Sequence, residues 1–295
     1  MTVNRSRPIN HRRSRSEMAI LRATILQVVE ENAPATVRQV FYQLVSRGAI
    51  EKTEAEYKAT VVRLLTDMRV GGNLPFDSIA DNTRWMRKPR SFSSVEQALR
   101  ITAETYRRAT WDNQAAYVEV WLEKDALAGV VYEETERWDV PLMVTRGYPS
   151  VSYLHAASEV IKSCGKPAYL YYLGDHDPSG VDIPRNVESR LREFAPHAEI
   201  HFLRLAVTSK QMVEFALPSR PTKASDSRAR NFAGESVEVD AIPPSQLRNL
   251  VRSSVEQHIN KRALRTLQIA EDSEREALGL LASSWKSIEM PRRGG

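Results

Sequence analysis

The chain has 295 residues, 42% hydrophobic and 27% charged, with a formal net charge of +5. That is enough apolar content for real cores in one large domain or two ordinary ones. One cysteine, Cys164, excludes an internal disulfide framework and a cysteine-built zinc site. No apolar run approaches bilayer length, and no apolar stretch follows the basic N-terminus, so a cytoplasmic, nucleoid-associated protein with no membrane partner is expected. The basic excess is modest; it suggests nucleic acid without demanding it.

Residues 1–16 carry Arg5, Arg7, Arg12, Arg13 and Arg15 and almost nothing apolar, which predicts a disordered arm. It either tracks phosphates or only solubilises the chain. Met18 to Glu31 is predicted helical, with Met18, Leu21, Ile25, Val28 and Val29 on one stripe. Thr36 with Gln39 is a capping-box signal for a second helix, whose apolar face is Val37, Val40, Phe41, Leu44 and Val45. Tyr42 falls off that face, with Arg38 four residues earlier on the same polar side. Thr53 and Glu56 open a third helix to about Arg69, with Tyr57, Val61, Leu64, Leu65 and Met68 inward and Lys58, Arg63 and Arg69 outward. A turn at Gly71-Gly72-Asn73 leads to a short wing strand from Leu74 to Ala80. Three small helices, a turn and a strand are the layout of a winged helix-turn-helix over 17–90. Arg84, Trp85, Arg87, Lys88 and Arg90 follow as a basic patch. Beside that layout, the charges favour a DNA surface over a merely solvated face.

A connecting helix is expected from Ser91 to Thr110, within a linking segment 91–114. The period then changes. Strands are predicted at Ala115–Leu122, Pro141–Thr145, Ala168–Leu173 and Glu199–Val207, alternating with helices at Asp125–Trp138, Ser150–Ser163 and Ser179–Phe194. Such alternation means an α/β fold with a doubly wound, mostly parallel sheet over 115–207. Residues 209–236 read as an irregular loop. Ser236–Asp240 reads as a short alternating strand. Ser245 to Ile259 is predicted helical, and Lys261 to Trp285 is a further helix or pair, so 208–295 is a loop with a helical extension. No Walker-type phosphate loop is present.

The chemistry gathers at strand ends, where open α/β sheets bind ligands. Glu123 ends the first strand; Asp175 and Asp177 follow the third. Neighbouring first and third strands would bring the acids to one edge. Three hard oxygen donors suit Mg2+ or Mn2+ held through few protein ligands plus water and phosphate oxygens. The competing reading is turn chemistry: Asp-His-Asp-Pro also ends a strand and caps a helix. His176 is a participant or a surface residue between ligands, and Lys124 is a phosphate contact or a solvated helix start.

This arrangement resembles the toprim domain of topoisomerases, bacterial primases and some nucleases, through Glu123 and through Asp175-His176-Asp177 with Pro178 and Gly180. Arg146-Gly147-Tyr148-Pro149 is similar to the matching segment of the A subunit of topoisomerase VI. In that family, and in its meiotic double-strand-break relatives, a winged helix precedes the toprim domain and carries an Arg-x-x-aromatic-Tyr motif; here Arg38-Gln39-Val40-Phe41-Tyr42 stands at that place. The resemblance covers roughly 17–207 and is to a reduced A-subunit form. It implies Mg2+-dependent double-strand cleavage through a 5′-phosphotyrosyl link. Tyr42 would be the nucleophile, Arg38 its electrostatic partner, and Glu123, Asp175 and Asp177 the metal ligands. Lys58, Arg63, Arg69, Arg84, Arg87, Lys88, Lys124 and Arg146 would be the contacts to duplex DNA. A homodimer is implied, in which the tyrosine of one protomer serves the metal site of the other, and any ATPase would be a separate B-type subunit. The alternatives are a toprim endonuclease that uses water, with Tyr42 structural, and a non-catalytic DNA-binding protein.

Overall fold

The computed structural model describes residues 13–80, 88–221, 232 and 234–285. Helix α1 spans Arg15–Asn32, and Ser14 and Glu17 cap it reciprocally. The expected arm is therefore shorter than 1–16: the cap pulls Arg15 and Ser16 into the first turn, and Arg13 is tied to Glu56 at 2.7 Å. Arg5, Arg7 and Arg12 lie outside the described residues. Helix α2, Val37–Ser46, begins at the expected Thr36–Gln39 capping box, and Gly48 turns the chain out of it at φ +66°.

The Oγ1 of Thr53 accepts the Glu56 N–H at 3.2 Å, as the cap signal predicts. The third helix, however, opens as a π-helical stretch, Glu56–Val62, before α3, Arg63–Val70. The β-branched run Thr60–Val62 crowds an α turn there. The expected wing strand is also different. Pro75 has no N–H to give a ladder, and Phe76–Ser78 forms a 3-10 turn. Among the described residues this segment pairs through one isolated bridge, Ala35 to Ile79. Helix α4 is Val95–Thr105, capped by Ser94 and shorter than the expected connecting helix.

Strand β1 is Tyr117–Leu122; a 3-10 turn and α5, Ala128–Arg137, follow it. Strand β2 is Leu142–Val144, α6 is Val151–Cys164, β3 is Ala168–Leu173, α7 is Pro178–Phe194 and β4 is Ile200–Ala206. The alternation read from the sequence thus stands, with ends moved by one to three residues. The four strands form a parallel sheet in the order β2-β1-β3-β4. The chain is an α/β protein.

The described parts of 209–236 are more regular than expected. Thr208 and Gln211 form a capping box that starts α8, Ser209–Glu214, and β5, Arg220–Pro221, pairs antiparallel with β6, Glu235–Ser236. The expected strand 236–240 breaks up. Val237 bridges His176, and Val239–Ala241 is a 3-10 turn whose first amide is bound by Asp175 instead of a strand partner. Helix α9 is Pro244–Glu256, and α10, Lys261–Ser284, is a single helix lying along α4. Among the described residues no helix is long and apolar enough to cross a membrane.

Strand alternation divides the core. Tyr117 and Trp121 of β1, with Leu170 and Tyr172 of β3, pack under α6 and α7. Val118, Val120 and Leu122, with Tyr171 and Leu173, join a larger cluster containing Val130 and Val131 of α5, Val251 of α9 and the apolar faces of α1, α2 and α3. That second cluster runs from the sheet to the N-terminal helices, which meet the rest of the chain at α9 and at the Val239–Ala241 turn.

Candidate functional site

The register of β1 against β3 pairs Leu122 with Leu173, so the residues that follow leave the sheet side by side. Glu123 Oε2 accepts the Asp175 N–H at 3.1 Å and the Tyr172 hydroxyl at 3.3 Å. Gly174 is required between them: a Cβ there would lie 2.5 Å from Glu123 Oε2. Asp177 caps α7, its Oδ1 accepting the Gly180 N–H at 2.7 Å. The turn is drawn tight enough that a Cβ on Gly180 would lie 2.0 Å from the Asp175 carbonyl. Arg204 of β4 fastens it from below, donating to the carbonyls of Gly180 at 2.7 Å, Gly174 at 3.1 Å, and Asp175.

The turn reading of the Asp-His-Asp segment is realised: Asp177 is the cap of α7. Burial first, then the charge of Asp175, with a further contribution from Asp177, pushes the Glu123 carboxyl up to about 7. Burial likewise raises Asp175, against the pull of Lys124. His176 pairs through its backbone with Val237, and burial lowers its imidazole.

Among the described residues no group of three His, Cys, Asp or Glu side chains stands arranged to hold a metal ion. The chemistry of the donor set nevertheless fits a hard divalent cation. Glu123 Oε1, Asp175 Oδ2 and Asp177 Oδ2 have no hydrogen-bond partner among the described residues, and the three carboxylates repel one another. Few protein oxygens with the rest supplied by water is how Mg2+ is ordinarily held.

Lys124 turns to the other side of the sheet edge. Its Nζ is 2.6 Å from Asp240 Oδ2, 3.0 Å from Glu238 Oε2 and 3.0 Å from Asp175 Oδ1. Burial works to lower its pKa, but the three carboxylates outweigh it and hold the ammonium charged. Glu238 is a second hub, met by Arg38 at 3.1 Å and Arg220 at 3.4 Å. Burial works to raise its carboxyl; Lys124, Arg38 and Arg220 prevail and hold it down to about 2.

Tyr42 faces this hub. The sequence places it on the polar side of α2, but it is only 3% exposed, and Gln39 and Gln43 are buried as well. Amphipathic periodicity shows only the face packed on the neighbouring helices, whereas the Val239–Ala241 turn covers the opposite face of α2. Burial, with the charge of Glu238 adding, pushes the Tyr42 hydroxyl well above the ordinary tyrosine value, and Lys124 and Arg38 pull it back only in part. Lys52 Nζ lies 5.2 Å from the ring centroid and donates to the carbonyls of Pro218 and Ser219 at 2.8 and 3.2 Å. The Arg38 guanidinium stacks over Tyr57 at 5.0 Å.

Comparison with protein-family models and with curated proteins gave no match.

The expected DNA contacts scatter more widely. Lys58 is exposed and paired with Glu54 at 3.0 Å; Arg63 and Lys88 are exposed. Arg69 is half-buried, its Nε on the Leu65 carbonyl and its guanidinium 5.9 Å from Phe76. Arg146, at φ +54°, pairs with Asp125 at 2.9 Å. Arg84 and Arg87 lie outside the described residues. A cleft of about 1210 Å³ between α1 and the third helix collects Arg63 with Arg13, Arg15 and Arg22.

Sequence reasoning missed Glu238, Asp240, Arg204, Lys52 and Arg220. A signal existed for the first two: Val237-Glu238-Val239-Asp240 alternates, which throws both carboxylates to one side. For Arg204, a lone arginine inside an apolar strand next to the Asp-bearing strand was the available clue.

Proposed function

We propose that this chain cleaves the phosphodiester backbone of double-stranded DNA with the help of a divalent metal, in the manner of a reduced topoisomerase VI A subunit. The supporting observation is the joining of the two distant motifs. Arg38 and Tyr42 come from the N-terminal helices and Glu123 and Asp175 from the sheet edge, yet Glu238 and Lys124 link them into one polar network. On this reading the helices up to Ala80 act as a winged-helix module and the sheet as a toprim-like domain.

Glu123, Asp175 and Asp177 would hold Mg2+ or Mn2+, and a metal bound there supplies charge stabilisation to a reacting phosphate. Arg204 fixes the loop that carries two of these acids. The arginine-lined cleft on α1 supplies sequence-independent attraction to the backbone. Tyr42 is the nucleophile: its hydroxyl oxygen attacks phosphorus, the 3′-oxygen leaves, and a 5′-phosphotyrosyl ester keeps the bond energy for resealing. A phenol is a poor nucleophile near neutral pH unless a cation or base assists it, and Arg38 and Lys124 are the cations within reach. This reading pairs Tyr42 with the acids of its own chain, through the network above, rather than with those of a partner as the resemblance implies; breaking both strands takes two such chains, a homodimer. Strand passage driven by ATP takes a separate ATPase subunit.

A second reading is favoured by one observation, the burial of Tyr42. A tyrosine sealed beneath Val239–Ala241 with a carboxylate nearby is well placed to be structural, and water would then be the nucleophile at the same acids. Supercoiled plasmid incubated with the protein and Mg2+, then with EDTA in excess, tests the shared core of both readings. Nicked or linear product only with metal, and none from Asp175→Asn, supports it; cleavage that survives both EDTA and that substitution removes it.

A further inference from the structure

Arg38, Lys124 and Arg220 come from three different parts of the chain, and they converge on one carboxylate. Glu238 receives Arg38 at 3.1 Å, Lys124 at 3.0 Å and Arg220 at 3.4 Å, and its charge acts on the nearby Tyr42 phenol. Three cations and a phenol around one anion are what a phosphodiester at the point of attack by Tyr42 requires. The two guanidinium side chains are about two-fifths exposed, so the cluster is open on one side, while the Glu238 side chain beneath them is 11% exposed.

Glu238 is carried on a segment fastened on either side of it. Behind it, Val237 exchanges two backbone hydrogen bonds with His176, at 2.8 and 3.0 Å, and β6 pairs with the two-residue β5. Ahead of it, the 3-10 turn is pinned by the Val239 N–H on Asp175 at 2.8 Å. The opposing strap is held by Lys52 on the carbonyls of Pro218 and Ser219. Lys124 has two further carboxylates, Asp240 and Asp175, and stays paired if Glu238 leaves; Glu238 is the one carboxylate within 4 Å of Arg38 and of Arg220 among the described residues, with Asp240 acting on Arg38 from further off.

We infer that the Arg38–Lys124–Arg220 cluster is the subsite for a DNA backbone phosphodiester and that Glu238 occupies it as an internal substitute anion, which the phosphate must displace to reach Tyr42. The inference rests on the DNA-cleavage reading for its substrate, but it concerns binding and is tested without cleavage. Glu238 is a positioning residue in this account. It keeps the cations gathered and the phenol sealed until backbone phosphate arrives.

The test is fluorescence anisotropy with a labelled blunt DNA duplex in EDTA, over a series of salt concentrations. Removing the resident anion in Glu238→Gln tightens duplex binding about tenfold at low salt and steepens the salt dependence, because released cations become available to phosphate. Removing one cation in Arg220→Gln, at a half-exposed position, weakens binding about tenfold and makes the salt slope shallower by about one, with an unchanged melting temperature confirming that the variant is folded. Unchanged affinity in Arg220→Gln overturns the inference, as does unchanged or weaker binding by a folded Glu238→Gln. If Glu238→Gln does not fold, the Arg220→Gln result decides. Duplex binding that responds to both substitutions with no cleavage under Mg2+ removes the nuclease reading and keeps the subsite; cleavage with no response of binding does the reverse.

Discussion

Glu123 and Asp175 meet at the edge of the sheet, the carboxylate of the first accepting the backbone N–H of the second at 3.1 Å. Fifty-odd residues of α5, β2 and α6 lie between them, and the parallel pairing of β1 with β3 closes that distance. Burial and the charge of Asp175 hold the Glu123 carboxyl up to about 7, so a proton and a divalent cation compete for the same oxygens. Mg2+ should therefore raise the melting temperature, more at pH 8 than at pH 6. Differential scanning fluorimetry checks this. The rise disappears in Asp175→Asn; a rise of equal size in that variant would place the ion elsewhere.

Lys124 is the sole cation within 4 Å of Asp240 among the described residues. Breaking a buried pair by removing one partner leaves an uncompensated charge, and here Asp175, Glu238 and Asp240 are all affected. Lys124→Met is expected to lose about 3–5 kcal/mol of folding stability. Urea denaturation gives the value. A loss below about 1 kcal/mol, typical of exposed ion pairs, would mean that water reaches the cluster freely.

Glu119 is a buried carboxyl that the proposed chemistry does not use. It is 1% exposed and accepts the Tyr117 hydroxyl at 2.8 Å and the Trp121 indole N–H at 2.7 Å. Burial outweighs those two bonds and pushes it up to about 7. Between the ordinary carboxylate range and pH 7 the folded state keeps a proton that the unfolded state has released. Stability then falls as pH rises through that window and levels off above it, by roughly 3–4 kcal/mol in all. Glu119→Gln removes this dependence, so the stability difference between variant and wild type should move in favour of the variant from pH 5 to pH 8. A difference that does not change with pH would show that Glu119 titrates normally.

Gly174 has no room for a side chain. An added Cβ would sit 2.5 Å from Glu123 Oε2 and 2.6 Å from Tyr172 Cε1. Gly174→Ala should cost about 1–3 kcal/mol by overpacking, and it should displace the Glu123 carboxylate. Thermal melts with and without Mg2+ read both effects; a variant with unchanged stability and an unchanged response to Mg2+ contradicts the packing described.

How much of this was legible beforehand depends on which kind of signal carried it. The caps at Thr36 and Asp177 and the buried runs of β1 and β3 are local, and their elements formed where the residues said. The approach of Glu123 to Asp175 followed from α/β alternation, which puts strand ends on one edge. The environment of Tyr42 was not legible, because a helix periodicity reports the first face to be buried and says nothing of a later segment covering the second. Glu238 and Asp240 arrive from more than sixty residues beyond Asp175. Their short strand-like pattern gave no hint that its amides would be claimed by Asp175. The wing strand failed for a local reason, Pro75, that was in plain sight.

The central claim is that the Tyr42 oxygen becomes joined to DNA. A duplex labelled at an internal phosphate, incubated with the protein and Mg2+, denatured and digested with nuclease, tests it most directly. The account predicts label retained on the polypeptide, on the tryptic peptide that contains Tyr42, and none on Tyr42→Phe. Cut DNA with free 5′-phosphates and no labelled polypeptide, equally from wild type and Tyr42→Phe, would contradict it.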